Sequence, residues 1–136
     1  MRRLELLASF VPRLGADTAS FGAWQSSVGG GTPQDPATLP WFELSELGHE
    51  FVQATYEAGW ILKDFDWATW AHGPEGQKLA NDRTALSKAD EDQLAMLLTA
   101  LIRQDRFVEG ALGAAFDSGL LLAIAERARA LLNEKR

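Results

Sequence analysis

Apolar residues recur at helical spacing along most of the chain, and the pattern is clearest in the last third. One stripe follows i, i+3, i+4, i+7 and i+8 through Leu94, Leu97, Leu98, Leu101 and Ile102. That spacing places all of them on one face of a helix. Asp90 precedes the stripe with Gln93 three residues later, which resembles a capping box. The pattern predicts a helix that begins near Asp90.

Two more helices are predicted after this one. Asp105 is placed to cap a helix that ends at Ser118 and Gly119, where glycine can take a left-handed conformation. A last helix is predicted from Leu120 to about Asn133. One core is expected to contain the apolar residues of this region: Leu94, Leu97, Leu98, Leu101, Phe107, Phe116, Leu121 and Ile124.

The first two thirds of the chain predict shorter helices and one long loop. Residues 1–14 form a helix candidate, and a second helix is expected to have Thr38 as its cap, to begin at Pro40 and to end at Gly59. Further short helices are predicted after Asp66 and at Pro74, and Asn81 and Asp82 are expected to open another short segment.

Residues 15–40 between the first two helices are rich in Gly, Ser, Thr and Pro and follow neither the helical nor the strand period. This composition predicts a loop that has the least regular structure and the highest mobility over Val28 to Pro33. Trp24 is expected to contact the helical body. No strand is expected between Ser20 and Gly31. The predicted fold is all-α, a compact bundle of five to six helices with a long loop near the N-terminus. It is one domain over residues 1–136, which consists of an N-terminal helix (1–14), the loop (15–40) and a helical body (41–136).

Composition narrows the classes of partner. The net charge is −6, and residues 1–68 carry 4 basic and 9 acidic side chains while residues 69–136 carry 9 and 10. An acidic chain is repelled by phosphate backbones and by anionic membranes, so a protein with a basic surface is the expected partner. There are 0 cysteines, which excludes disulfides and fits a cytoplasmic location. No apolar run is long enough to span a bilayer.

The sequence offers no assembled catalytic, cofactor or metal motif. His49 and Glu50 begin like the zinc-protease pattern HExxH, but Gln53 stands where the second histidine belongs. His72 is the only other histidine in the chain. We therefore expect no catalytic residues, no metal and no cofactor.

Four charged residues, Arg103, Asp105, Arg106 and Glu109, interrupt the apolar last third. On a helix Arg106 and Glu109 would be i, i+3 neighbours and could pair. We interpret the four residues, together with Asp66, as a structural network at a helix junction. At least one of the two arginines is expected to bond a backbone carbonyl or an acidic side chain of another segment, with Asp64 and Asp66 as candidates.

Several segments resemble a bacterial and phage family that is known only as a domain of unknown function. They are FDW at 65–67, Trp70, LLTALIRQDRFVEG at 97–110 and AAFDSGLL at 114–121, with RxDRFxEG as the most specific part. The resemblance spans roughly residues 44–132, leaves out the loop and departs at HGPEG (72–76). It implies a small helical domain and brings no activity or functional residue.

The leading hypothesis is a small acidic, non-catalytic domain that binds a protein partner, and one version of it is a phage or mobile-element inhibitor of a host nucleic-acid-binding defence complex. The expected partner-binding residues are loop and helix-start aromatics and an acidic stripe: Trp24, Trp41, Glu43, Glu46, Glu50 and Glu57. An alternative is an enzyme with a cleft formed by Asp66, His72, Arg103, Arg106 and Glu109. A helix-turn-helix DNA-binding protein is a weaker alternative, because residues 106–118 offer one Arg and no Asn, Gln or Lys for base edges.

Overall fold

The computed structural model describes residues 3–25 and 40–134. Its elements are α1 (Arg3–Ala8), α2 (Val11–Leu14), β1 (Gly22–Gln25), β2 (Trp41–Leu44), α3 (Glu46–Glu57), α4 (Trp67–His72), α5 (Pro74–Asn81), α6 (Arg83–Leu86), α7 (Glu91–Gln104), α8 (Ala111–Asp117) and α9 (Leu120–Glu134). β1 and β2 pair antiparallel as a two-stranded sheet. The fold is mainly helical rather than all-α, and the described helices are shorter and more numerous than the predicted five to six.

The sheet corrects two predictions. β1 lies inside the predicted loop, where no strand was expected, and β2 occupies the predicted start of the second helix. The helix α3 begins later, because the Ser45 side chain caps it by accepting from the Gly48 N–H at 3.1 Å. The apolar stripe through Leu44 suggested a longer helix, but Leu44 ends a strand in which exposed and half-buried residues alternate. Thr38 and the segment from Val28 to Pro33 lie outside the described residues.

The helix ends follow the predicted local chemistry more closely. Asp90 and Gln93 form the reciprocal capping box of α7, with N···O distances of 2.8 and 2.9 Å. Asp66 caps α4, and Asp82 caps α6. Gly119 has φ of +83° and separates α8 from α9 as predicted. The predicted N-terminal helix is instead two short helices, α1 and α2, because a proline is accommodated in the first turn of a helix but not in its interior.

The core lies between α7, α9 and the N-terminal helices. α9 packs against α1, α2, α6, α7 and α8. Five of the predicted core residues are buried: Leu94, Leu97, Leu98, Leu121 and Ile124. Leu101 and Phe116 are partly buried against them. The placement of Phe107 in the core was wrong, since its side chain is 78% exposed.

The error at Phe107 has a simple cause. α7 ends at Gln104 and α8 begins only at Ala111, so Phe107 lies in a connecting turn and not on a helix face. Helical periodicity therefore says nothing about where its side chain points. Within the described residues, no helix is long and apolar enough to cross a membrane.

Candidate interaction surface around the 105–110 turn

The 105–110 turn, which joins α7 to α8, is bonded by its charged side chains to three other elements. The Asp105 carboxylate accepts a hydrogen bond from the Leu112 N–H at 3.0 Å, in the first turn of α8. Arg106 donates to the hydroxyl of Tyr56 on α3 at 3.0 Å. Glu109 accepts from the Phe42 N–H on β2 at 2.9 Å. These bonds fix the backbone of the turn against the body of the protein.

Two glycines let the sheet approach this turn closely. Gly110 has φ of +85°, and a Cβ built there would lie 2.5 Å from the Trp24 ring. A Cβ on Gly113 would lie 2.5 Å from the Phe42 ring. Real Cβ atoms do not approach other atoms so closely, so the small residues are required for the rings of β1 and β2 to pack here.

The turn presents two apolar side chains to solvent. Phe107 is 78% exposed, and its ring stacks on Trp67 with the centroids 6.0 Å apart and an interplanar angle of 26°. Val108 is 54% exposed. Trp24 and Tyr56, both exposed, touch the turn through Gly110 and Arg106. We call the apolar residues in and around the turn the aromatic surface: the exposed Trp24, Tyr56, Phe107 and Val108, and the half-buried Trp67.

Trp41 is exposed but lies on another face of the sheet. In the strand register, Trp24 pairs with Phe42, and Gln25 pairs with Trp41. Because successive side chains of a strand point to opposite faces, Trp41 and Glu43 are on the outer face while Phe42 packs inward on Gly113. The two tryptophans predicted to bind a partner therefore do not belong to one continuous patch.

The charged residues predicted to form a structural network each contact a different part of the protein. Arg106 and Glu109 do not pair as predicted: the i, i+3 geometry needs a helix, and residues 105–110 are not helical. Arg103 donates to the Leu62 carbonyl at 3.5 Å, which confirms the expected bond to a carbonyl of another segment. Asp66 takes no part in this contact.

Asp66 is occupied at the start of α4. Its carboxylate accepts hydrogen bonds from the Thr69 hydroxyl at 2.7 Å and from the Thr69 N–H at 3.3 Å. These two bonds favour the charged form and hold the pKa of the Asp66 carboxyl below its ordinary value of 3.8. The role of Asp66 in the described structure is that of a helix cap.

The acidic side chains of α3 lie on its solvent face. Glu46, Glu50 and Glu57 are all exposed, at positions opposite the buried face that contains Phe51. Glu50 forms an ion pair with Arg13, and Glu57 accepts a hydrogen bond from the Gln53 side chain. Glu43 and Glu46 have no ion-pair partner among the described residues. The stripe is therefore negative and only partly neutralised.

The five residues of the alternative catalytic cleft each contact a different part of the protein. The His72 ring bonds the Ala68 carbonyl within α4 at 2.8 Å. Arg103 reaches Leu62, Arg106 reaches α3, and Glu109 reaches β2, while Asp66 caps α4. These contacts do not assemble a nucleophile, a base and an acid around one point. In the described part of the chain, no three His, Cys, Asp or Glu side chains are grouped as metal ligands.

The sequence did contain a signal for the exposed pair in the turn. Phe107 and Val108 are flanked by Arg106 on one side and by Glu109 and Gly110 on the other. Glycine is typical of turns because it can adopt the left-handed conformation, and charged residues are as compatible with an exposed turn as with a helix surface. Had the segment been interpreted as a turn, the two apolar residues would have been predicted to be exposed.

The comparison with protein families supports one part of the resemblance, membership of a family of unknown function. A family model described as a family of unknown function, DUF6508, matches residues 1–134. The match is longer than the 44–132 region predicted from the motifs and includes the predicted loop. No curated protein and no solved structure shows significant similarity to the chain. The match covers nearly the whole chain, and the chain therefore belongs to DUF6508, a family of unknown function.

Proposed function

We propose that the protein is a non-catalytic binding module that docks a protein partner through the aromatic surface. The observation that carries the proposal is Phe107, a phenylalanine that is 78% exposed although it lies in a turn bonded to three elements. Fully burying such a side chain is worth about 1.5–3 kcal/mol. Folding of the described chain leaves most of that stabilisation unused, and a partner can supply it.

The rigidity of the turn supports binding rather than chance exposure. Ordering a side chain or a loop on binding costs free energy, and a turn that is already fixed avoids much of that cost. Hydrogen bonds from Asp105, Arg106 and Glu109 fix the backbone, and the Trp67 ring supports Phe107 from one side. Aromatic residues in rigid settings are the common anchors of protein interfaces.

The exposed acidic side chains and the net charge of the chain favour a basic partner. Glu43, Glu46 and Glu57 are exposed, with no described cation within ion-pair distance, and the net charge of the chain is −6. A second copy of the chain would bring like charges together, which disfavours self-association. A partner that combines an apolar pocket with arginine or lysine side chains complements both features.

One concrete version is an inhibitor from a phage or mobile element that covers the nucleic-acid-binding surface of a host defence complex. Such surfaces are basic because they neutralise phosphates. The acidic stripe of α3 and the net charge support this version, and they support any other basic partner equally.

A photo-reactive cross-linker tests the proposal. It is placed at Val108 and, as a matched control, at Arg129, which is exposed on α9 outside the aromatic surface. We expect a protein partner to be captured from Val108 only, and the cross-linked segment of that partner to be basic. Capture should fall in the Phe107→Ser variant and with added salt. Equal capture from both positions, capture of a second copy of the chain, or no capture contradicts the proposal.

A further inference from the structure

Each strand of the sheet has an outer edge, the side that faces away from the other strand. The hydrogen bonds between the strands show which backbone groups point outward at each edge. The Ser45 N–H donates to the Phe21 carbonyl at 2.9 Å, so these two residues form a hydrogen-bonded pair at the end of the ladder. Hydrogen-bonded and non-bonded pairs alternate in an antiparallel sheet. In the register of β1 and β2, the pairs Gly22–Leu44 and Trp24–Phe42 are therefore non-bonded across the sheet.

The outward groups of β2 are partly occupied. The Phe42 N–H points away from β1 and donates to the Glu109 carboxylate at 2.9 Å. A carboxylate in this position blocks the approach of another strand, as charged side chains at sheet edges do. The 105–110 turn thereby closes one edge of the sheet.

The outward groups of β1 are open with respect to residues 3–25 and 40–134. The N–H and C=O of Trp24 and the N–H of Gly22 point away from β2, and none of them has a hydrogen-bond partner among the described residues. Within the described part of the chain, only the Gly22 carbonyl is contacted, by the Ser20 hydroxyl at 3.3 Å. An edge with unpaired N–H and C=O groups is a template for one more strand.

The face of the sheet beside this edge fits a peptide with basic side chains. A groove of about 220 Å³ runs along it, lined in part by Ser20, Ala23, Gln25 and Glu43. Ala23 is small and leaves room, while Glu43 and Gln25 offer acceptors for a cation or an amide. The side chains of an added strand alternate between this groove and the opposite face, where Trp24 lies.

We infer that the outer edge of β1 binds an extended, lysine- or arginine-containing segment of the partner protein as a third strand. The inference deepens the proposed function and rests on it, because it specifies the conformation in which the partner docks beside the aromatic surface. Trp24 belongs to both sites: its ring contributes to the aromatic surface, and its backbone forms the open edge.

Amide hydrogen exchange of the full chain, measured by NMR, tests the edge directly. The probe is a peptide of alternating lysine and valine at about 1 mM, enough to fill a weak site, with a glutamate–valine peptide as control. We expect the basic peptide alone to slow exchange at the Trp24 and Gly22 amides by about tenfold. No slowing, equal slowing by both peptides, or slowing that depends only on the concentration of the protein overturns the inference; the last result would assign the edge to a second copy.

Two variants of one residue separate the backbone from the side chain. Trp24→Ala removes the ring and keeps the N–H, whereas Trp24→Pro removes both, and proline is tolerated at a sheet edge where the N–H points outward. We expect peptide binding to be at least about tenfold weaker in Trp24→Pro than in Trp24→Ala. Equal binding by the two variants overturns the inference. If thermal unfolding shows that the proline variant does not fold, the exchange measurement on the wild-type protein decides.

The cross-linking experiment distinguishes failure of this inference from failure of the proposed function. Suppose that capture from Val108 is lost in Phe107→Ser but is equal in the alanine and proline variants of Trp24. The proposed binding module then stands, and the addition of a third strand is contradicted. Absence of capture contradicts both the proposed function and the strand addition.

Discussion

Phe107 stacks on Trp67 across the surface of the protein, with ring centroids 6.0 Å apart, and most of the Phe107 side chain is exposed. The pair joins the 105–110 turn to the start of α4, two segments that are forty residues apart in the chain. An aromatic contact of this kind is worth about 0.5–1.5 kcal/mol when the rings are buried. At an exposed position its main effect is to hold the phenylalanine in one orientation for a partner.

Replacing Phe107 should leave the stability of the protein nearly unchanged. An exposed residue contributes little to the core, so Phe107→Ser is expected to change the free energy of unfolding by less than about 0.5–1 kcal/mol. Leu98→Ala is the control: Leu98 is 0% exposed, and its truncation should cost about 2–5 kcal/mol. Urea unfolding measures both. If Phe107→Ser lowered the free energy of unfolding by several kcal/mol, the Phe107 side chain would have to be part of the core.

Arg106 and Glu109 should act independently. Both are exposed, and each bonds a different element, so Arg106→Ala and Glu109→Ala are each expected to cost no more than about 1 kcal/mol. The double variant should equal the sum of the two within about 0.5 kcal/mol. A double-mutant cycle by chemical denaturation gives the coupling. A coupling energy above about 1 kcal/mol would show that the two side chains pair after all.

Gly110→Ala should be more destabilising than Gly59→Ala. Both glycines have φ above +80°, which costs other residues about 1–2 kcal/mol. A Cβ at Gly59 meets nothing within 4 Å, whereas one at Gly110 meets the Trp24 ring at 2.5 Å. The extra cost at Gly110 should disappear in a Trp24→Ala background. Thermal unfolding of the wild-type protein, the two glycine variants, Trp24→Ala and the Trp24→Ala/Gly110→Ala double variant tests this. An unchanged cost without the Trp24 ring would exclude the contact as its cause.

The pKa of Asp66 should depend on Thr69. The Thr69 hydroxyl and N–H bonds lower the pKa of the folded carboxyl, so Thr69→Val should raise it toward 3.8. A carboxyl whose folded pKa is depressed stabilises the fold above its unfolded pKa and loses that contribution as the pH falls through the folded pKa. The variant should therefore lose less stability on acidification below about pH 4. A carbon-detected NMR titration of Asp66 measures the shift, and an unchanged pKa would assign the depression to another cause.

The sequence predicted the features that depend on neighbouring residues. The caps at Asp66 and Asp90, the short segment that opens at Asp82 and the break at Gly119 each involve residues within a few positions, and all are confirmed. Local chemistry determines such features because the interacting groups are always close together.

The sheet and the turn could not be predicted in the same way. β1 and β2 are four residues each, and their pairing joins Gly22 to Leu44 across a long intervening segment. Such short strands carry almost no periodic signal. The bonds from Glu109 to β2 and from Arg106 to Tyr56 likewise join distant parts of the chain. Without these contacts, a helix through residues 105–110 was the simplest interpretation of the sequence.

The affinity of the captured partner for the wild-type protein and for Phe107→Ser tests the central claim most directly. The matched control is Arg129→Ser, a change at an exposed position outside the aromatic surface. We predict that Phe107→Ser weakens binding by about 30-fold or more, the loss of about 2 kcal/mol that is typical of an interface anchor, while the control binds as the wild type does. Equal affinity of Phe107→Ser and the wild-type protein would contradict the assignment of the aromatic surface as the binding site.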